Sequence, residues 1–155
     1  MRTVIRILLL GLSADVLSAA SPSSAAKTDQ AAMGKGSITF GHEAEGVGYF
    51  QFNISGDPHT TGTLLFAGEH HDHFPDIVVR VAKIDRARFG PGWVTFAARG
   101  ALHDEPVRVT GTAWDGAAAD KADRFSLKCT NGKGKVVLEA DGELFRGDIV
   151  IGTPE

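Results

Sequence analysis

Apolar and polar residues alternate along most of this chain, in short runs. In Tyr49-Phe50-Gln51-Phe52-Asn53-Ile54, Phe50, Phe52 and Ile54 share one face and Gln51 and Asn53 the other. That is the pattern of a half-buried strand, whose successive side chains point to opposite sides. The period of two recurs in residues 63–66, 77–82, 93–102, 107–114, 125–129, 135–140 and 143–151. It places Leu64, Phe66, Val94, Phe96, Val107, Val109, Phe125, Leu127 and Cys129 inward. From Gly36 onward no long segment holds a helical period, and residues 117–122 suffice for one helical turn only.

Turn-favouring clusters separate these runs: Gly56-Asp57-Pro58, Gly90-Pro91-Gly92, Asp115-Gly116, Asn131-Gly132 and Asp141-Gly142. Glycine and proline supply the special backbone angles, and Asn and Asp tolerate them. Asp141-Gly142 lies between two short apolar runs, which predicts a hairpin there. His103-Asp104-Glu105, between two strong strands, predicts another hairpin turn. Gly147 predicts a bulge in the last strand. About eight or nine strands with short connections imply an all-β fold: an antiparallel meander closed as a sandwich or barrel.

The first residues follow a different logic. Arg2 and Arg6 precede the short apolar stretch Ile7-Leu8-Leu9-Leu10-Gly11-Leu12, and the small triplets Ser18-Ala19-Ala20 and Ser24-Ala25-Ala26 follow it. This is a signal-peptide layout, with an apolar run too short to span a bilayer. Asp15 is an unusual charge so close behind that run. The expected organisation is a signal peptide over residues 1–26, a polar linker over 27–35 and one β domain over 36–152. The expected location is secreted or periplasmic, with no integral membrane segment left in the mature chain.

Composition narrows the function classes. The length of 155 residues suits one domain. The formal net charge is −3 and no Lys/Arg-rich run occurs, so the sequence carries no electrostatic footprint for nucleic acid. The single cysteine, Cys129, excludes an intramolecular disulfide. Its phase beside Phe125 and Leu127 makes it a small buried hydrophobe.

Candidate chemistry concentrates in Glu69-His70-His71-Asp72-His73, which holds three of the six histidines. Imidazole and carboxylate ligands suit zinc, copper or nickel, so His70, His71, Asp72 and His73 are the candidate metal ligands. In an extended segment His71 and His73 share a face, and a third ligand would come from Glu69 or a loop carrying His42, His59 or His103. The alternative is a solvated loop, which Pro75 favours. His103-Asp104-Glu105 has no nucleophile motif beside it, and no Gly-x-Ser-x-Gly elbow, phosphate loop or dinucleotide fingerprint occurs. No catalytic residue and no cofactor is therefore assigned. Trp93 and Trp114 mark either packing at strand ends or a sugar-binding surface.

The order of the strands resembles that of post-COAP-type β domains of secreted bacterial proteins. Tyr49-Phe50-Gln51-Phe52-Asn53 is similar to the early Phe-rich strand of that family. Thr61-Gly62-Thr63-Leu64-Leu65-Phe66 is similar to its next strand, followed by the segment His70 to His73. Asp123-Arg124-Phe125-Ser126-Leu127 is similar to its Asp-x-Phe strand, and residues 142–149 to its closing Gly-x-Leu-x-x-Gly-x-Ile hairpin. In place of the family's Gly- and Pro-containing turn before the Asp-x-Phe strand, this chain has Ala117-Ala118-Ala119-Asp120-Lys121-Ala122. The resemblance covers residues 36–152 and implies a secreted β module without catalytic residues to carry over. The expected function is a non-enzymatic binding or structural module at the cell exterior, of unknown partner. The competing expectation is a small-ligand or metal-binding barrel, enzymatic or not, that uses residues 70–73.

Overall fold

The computed structural model describes residues 30–41, 46–56, 59–70 and 73–152. The segment 1–26 read as a signal peptide lies outside them. The strands are β1 (Ala31–Phe40), β2 (Gly46–Ser55), β3 (Thr61–His70), β4 (His73–Val81) and β5 (Ile84–Gly90). They continue as β6 (Trp93–Leu102), β7 (Glu105–Trp114), β8 (Arg124–Thr130) and β9 (Val136–Gly152). All pairings are antiparallel and join neighbours along the chain, apart from β9 with β1 and β4 with β6, the second of which closes the circle. β4 meets the end of β6 through Val79↔Leu102 and Arg80↔Ala101. β5 takes the rest of the same edge, from Ile84↔Ala98 to Gly90↔Trp93. The result is a closed eight-stranded antiparallel barrel with β5 as one extra strand, in line with β4 along β6. Of the two closures open to the sequence, the barrel is the one formed, and it removes the free edges of a sandwich.

The predicted faces hold. Phe50, Phe52, Ile54, Leu64, Phe66, Val94, Phe96, Val109, Phe125, Leu127 and Cys129 are all buried. The Phe50 and Phe125 rings stack with centroids 4.1 Å apart, and Phe52 lies 5.9 Å from Phe125. Phe40 meets Phe66 edge-on at 5.7 Å. An eight-stranded barrel is just wide enough for side chains to fill. Here glycines on neighbouring strands make room for the rings. A Cβ on Gly48 would come within 2.6 Å of the Phe66 ring, and one on Gly111 would run into Phe96.

Four expectations need correction or refinement. Residues 31–35, read as linker, are the first half of β1 and pair with both β2 and β9. Gly34 and Gly36 hide the strand from a pattern reading, because they occupy inward positions without an apolar side chain. Asp141-Gly142 is not a hairpin but the middle of the 17-residue strand β9. Residues on one side of it pair with β8 and those on the other with β1. Asp141 instead forms a two-pronged ion pair with Arg124 of β8, at 2.9 and 2.8 Å. Gly142 is needed because a Cβ there would come within 2.5 Å of the Thr39 carbonyl. β9 is bulged, but at Phe145, which the register against β1 skips; Gly147, where the bulge was expected, stays paired with Gly36 at φ +106. Finally, β5 is a strand the alternation did not announce, because its register slips between Ile84 and Arg86.

The second half of β9 has β1 on one side only. The connection between β7 and β8 covers its other edge. Asp123 accepts hydrogen bonds from the Gly116 amide through Oδ1 at 2.9 Å and from the Ile149 amide through Oδ2 at 2.6 Å. Asp115 Oδ2 accepts from the Ile151 amide at 3.3 Å. The Leu144 amide donates to the Asp123 carbonyl at 2.8 Å. Edge donors that would otherwise invite another strand are thus satisfied by side chains. Among the described residues no helix is long and apolar enough to cross a membrane.

Candidate functional site

β3 ends at His70 and β4 begins at His73, and the register sets the two directly across from each other. His71 and Asp72 lie outside the described residues, as does His42. His59, just before β3, is exposed. His103 and Asp104 form the turn between β6 and β7 with φ of 48° and 68°, the left-handed angles of a tight hairpin. The turn expected there is present. Among the described residues, no group of three or more His, Cys, Asp or Glu side chains is placed to hold a metal ion. Cys129 is fully buried, and burial pushes its thiol up to about 11. A thiol so far from ionisation is no nucleophile at neutral pH.

The interior is occupied by rings, and the concavities lie on the outside of the wall. A groove of about 830 Å³ crosses β9, β1, β2, β3 and β4. Its outward side chains include Met33, Lys35, Gln51, Leu65, Arg80 and Val150. Met33, Leu65 and Val150 are the exposed apolar members, at 60%, 46% and 52%. The inward residues Phe52, Leu64 and Val81 also border it but are almost completely covered, so the concavity belongs to the outer surface.

The opposite side of the barrel has another character. A second groove of about 420 Å³ is lined by Thr95, Thr110, Thr112, Ser126 and Lys128. The register puts these residues in rows across the strands. One row runs Arg88, Thr95, Thr112, Ser126, and the next runs Arg86, Ala97, Thr110, Lys128. Beyond them Arg99 stands directly across from Arg108, and Asp85 is 3.5 Å from Arg99. At the other end of the rows Gly90, Trp93 and Trp114 are in register. A Cβ on Gly90 would run into the Trp93 indole, so the ring lies flat over the β5 backbone. Both tryptophans are half-buried. Glu139 and Asp141 border the groove on β9, each in an ion pair, with Lys128 at 2.9 Å and Arg124 at 2.8 Å.

Net charge conceals this arrangement. Residues 80–102 carry five cationic side chains and one carboxylate in a chain whose formal net charge is −3. Of these, Arg86 and Arg88 on β5 and Arg99 on β6 join Arg108 of β7 on one outer face, whereas Arg80 lines the other groove. The signal available in the sequence was their shared phase: Arg86 and Arg88 on β5 and Arg99 on β6 all fall opposite the buried positions. Comparison with family models, with curated proteins and with solved structures finds no match to this chain.

Proposed function

We propose that the protein is a secreted, non-enzymatic binding module that makes its contacts with the outside of the barrel wall. The observation that carries this reading is the filled interior. Phe50, Phe52, Phe96 and Phe125 are neighbours in one ring cluster that occupies the space a barrel of this size would otherwise offer a ligand. Both grooves lie outside. The order of charged, apolar and small-residue segments before residue 27 supports export, as does the resemblance to β domains of secreted proteins.

A neutral apolar dye, N-phenyl-1-naphthylamine, tests the interior. The wild type should leave its fluorescence unchanged, and Phe96→Ala, which opens a cavity, should bind it. Stoichiometric dye uptake by the wild type would overturn the filled-barrel reading. Export is checked by the N-terminus of protein recovered outside the cytoplasm. A mature start after Ala20 or Ala26 is expected, and an intact Met1 or Arg2 refutes cleavage.

A further inference from the structure

We propose that the outer face of β5–β8 binds an acidic polysaccharide, with the Trp93 indole as the sugar platform and Arg86, Arg88 and Arg108 as the partners of its carboxylates. The assignment deepens the wall-binding reading and rests on it.

Three features converge on this face. The first is charge. On the outward positions of β5, β6 and β7 stand Arg86, Arg88, Arg99 and Arg108, and Asp85 is occupied by Arg99. Among the described residues Arg86, Arg88 and Arg108 have no carboxylate partner. Arg99 and Arg108 are direct cross-strand neighbours, a like-charge placement that disfavours the sheet by itself and is relieved by an anion. Guanidinium groups present planar forks that match a carboxylate.

The second feature is the indole. Trp93 packs against Gly90 and is half-buried, at an outward position in the row next to Arg88. A flat, rigid aromatic surface beside cations suits the apolar face of a pyranose ring whose substituent is a carboxylate. The third is the groove between them. Thr95, Thr110, Thr112 and Ser126 supply a field of hydroxyls, each able to donate and accept, as sugar hydroxyls require.

The same features argue against nucleic acid as the occupant. Single strands are held by aromatic platforms interleaved with cations, one for each stacked base. Here both tryptophans sit together in one row, and Thr and Ala lie between the arginines. The larger groove on the other side mixes Lys35 and Arg80 with Asp148 and exposed aliphatic side chains, and it lacks the aromatic platform.

The test uses the full chain and polygalacturonate. The chain's two tryptophans both lie on this face, so intrinsic fluorescence reports binding directly. Polygalacturonate should shift the emission, and added salt should weaken the complex. Fully methyl-esterified polygalacturonate, which keeps the sugar rings but loses the charge, should bind at least about tenfold more weakly, and so should oligothymidylate. Affinity electrophoresis, which needs no tryptophan signal, should show a loss of about tenfold or more for R86S/R88S and for Trp93→Ala. Trp93→Tyr, which keeps a ring, should retain most of the binding, and Lys35→Ser in the other groove should change nothing. The proposal fails if polygalacturonate does not bind, if its methyl ester or oligothymidylate binds as tightly, or if Lys35→Ser weakens binding as much as R86S/R88S. A protein that ignores polygalacturonate yet still excludes the apolar dye loses this assignment and keeps the filled barrel.

Discussion

The amide of Ile149 donates a 2.6 Å hydrogen bond to Oδ2 of Asp123, 26 residues earlier in the chain. The second oxygen of the same carboxylate is taken by the Gly116 amide. One side chain thereby ties the β7–β8 connection to the uncovered edge of the last strand. Both oxygens act as acceptors, so an amide cannot replace the carboxylate. In Asp123→Asn one backbone N–H would face an NH₂ group. The expected loss is about 1–3 kcal/mol, the cost of a part-buried donor without a partner. Urea denaturation measures it, and a loss under about 0.5 kcal/mol would show that the clasp is dispensable.

Gly111 and Phe96 form a second coupled pair, across β6 and β7. Gly111→Ala pushes a methyl group into the Phe96 ring and should cost about 1–3 kcal/mol by overpacking. Phe96→Leu alone should also destabilise, by leaving a void. The double variant should be more stable than the sum of the two losses predicts, by about 0.5 kcal/mol or more. Simple additivity in a denaturation cycle would mean that the two positions do not share space.

Cys129 sets an alkaline limit on stability. Burial raises its thiol from an ordinary 9.0 to about 11. Below pH 9 both the folded and the unfolded chain hold the proton, and the full stability is present. Between pH 9 and 11 the unfolded chain loses the proton while the folded chain retains it, so stability falls as pH rises. The loss should reach about 2–3 kcal/mol above pH 11. In Cys129→Ala that part of the alkaline slope should vanish, and an unchanged slope would assign it to other groups. Reaction with a thiol reagent at pH 8 should proceed no faster than global opening of the barrel.

The ion pairs outside the barrel should matter little for stability. Arg124 and Asp141 have the best geometry, with two short hydrogen bonds, yet their side chains are 47% and 46% exposed. Hydrogen bonding to Asp141 holds the Arg124 guanidinium above its ordinary value, a shift with no consequence at physiological pH. Arg124→Ala should cost less than about 1 kcal/mol, and less still in high salt. A much larger, salt-independent loss would point to packing of the arginine stem instead.

Much of the fold was legible in the chain because strand periodicity is local. Phe50, Phe52 and Ile54 share a face whatever the rest of the protein does, and the structure buries all three. The turn at His103-Asp104 was equally legible from its position between two strong strands. The failures lie where a long-range partner outweighs a local preference. Asp141-Gly142 has the composition of a tight turn, but β8 and β1 offer the flanking segments better edges than they offer each other. Residues 31–35 have only Gly34 at an inward position beyond Ala32, with Gly36 at the next one, and only pairing with β2 and β9 makes them a strand. The histidine segment was easy to notice because its residues are contiguous. The two tryptophans were noticed one by one, but the arginines beside them were not, since the members of that face come from three separate strands.

The sequence by itself determined the all-β class, the inward set of side chains, the burial of Cys129 and the absence of an intramolecular disulfide. These follow from the pleat of an extended chain and from simple counting. Only the tertiary structure decided that the sheet closes as a barrel, that β4 and β5 share the edge of β6, and that Asp123 guards the edge of β9. It also decided which outward residues become neighbours. Register and closure depend on how segments far apart in the chain choose their partners, and that choice sets Arg99 across from Arg108 and Trp93 across from Trp114.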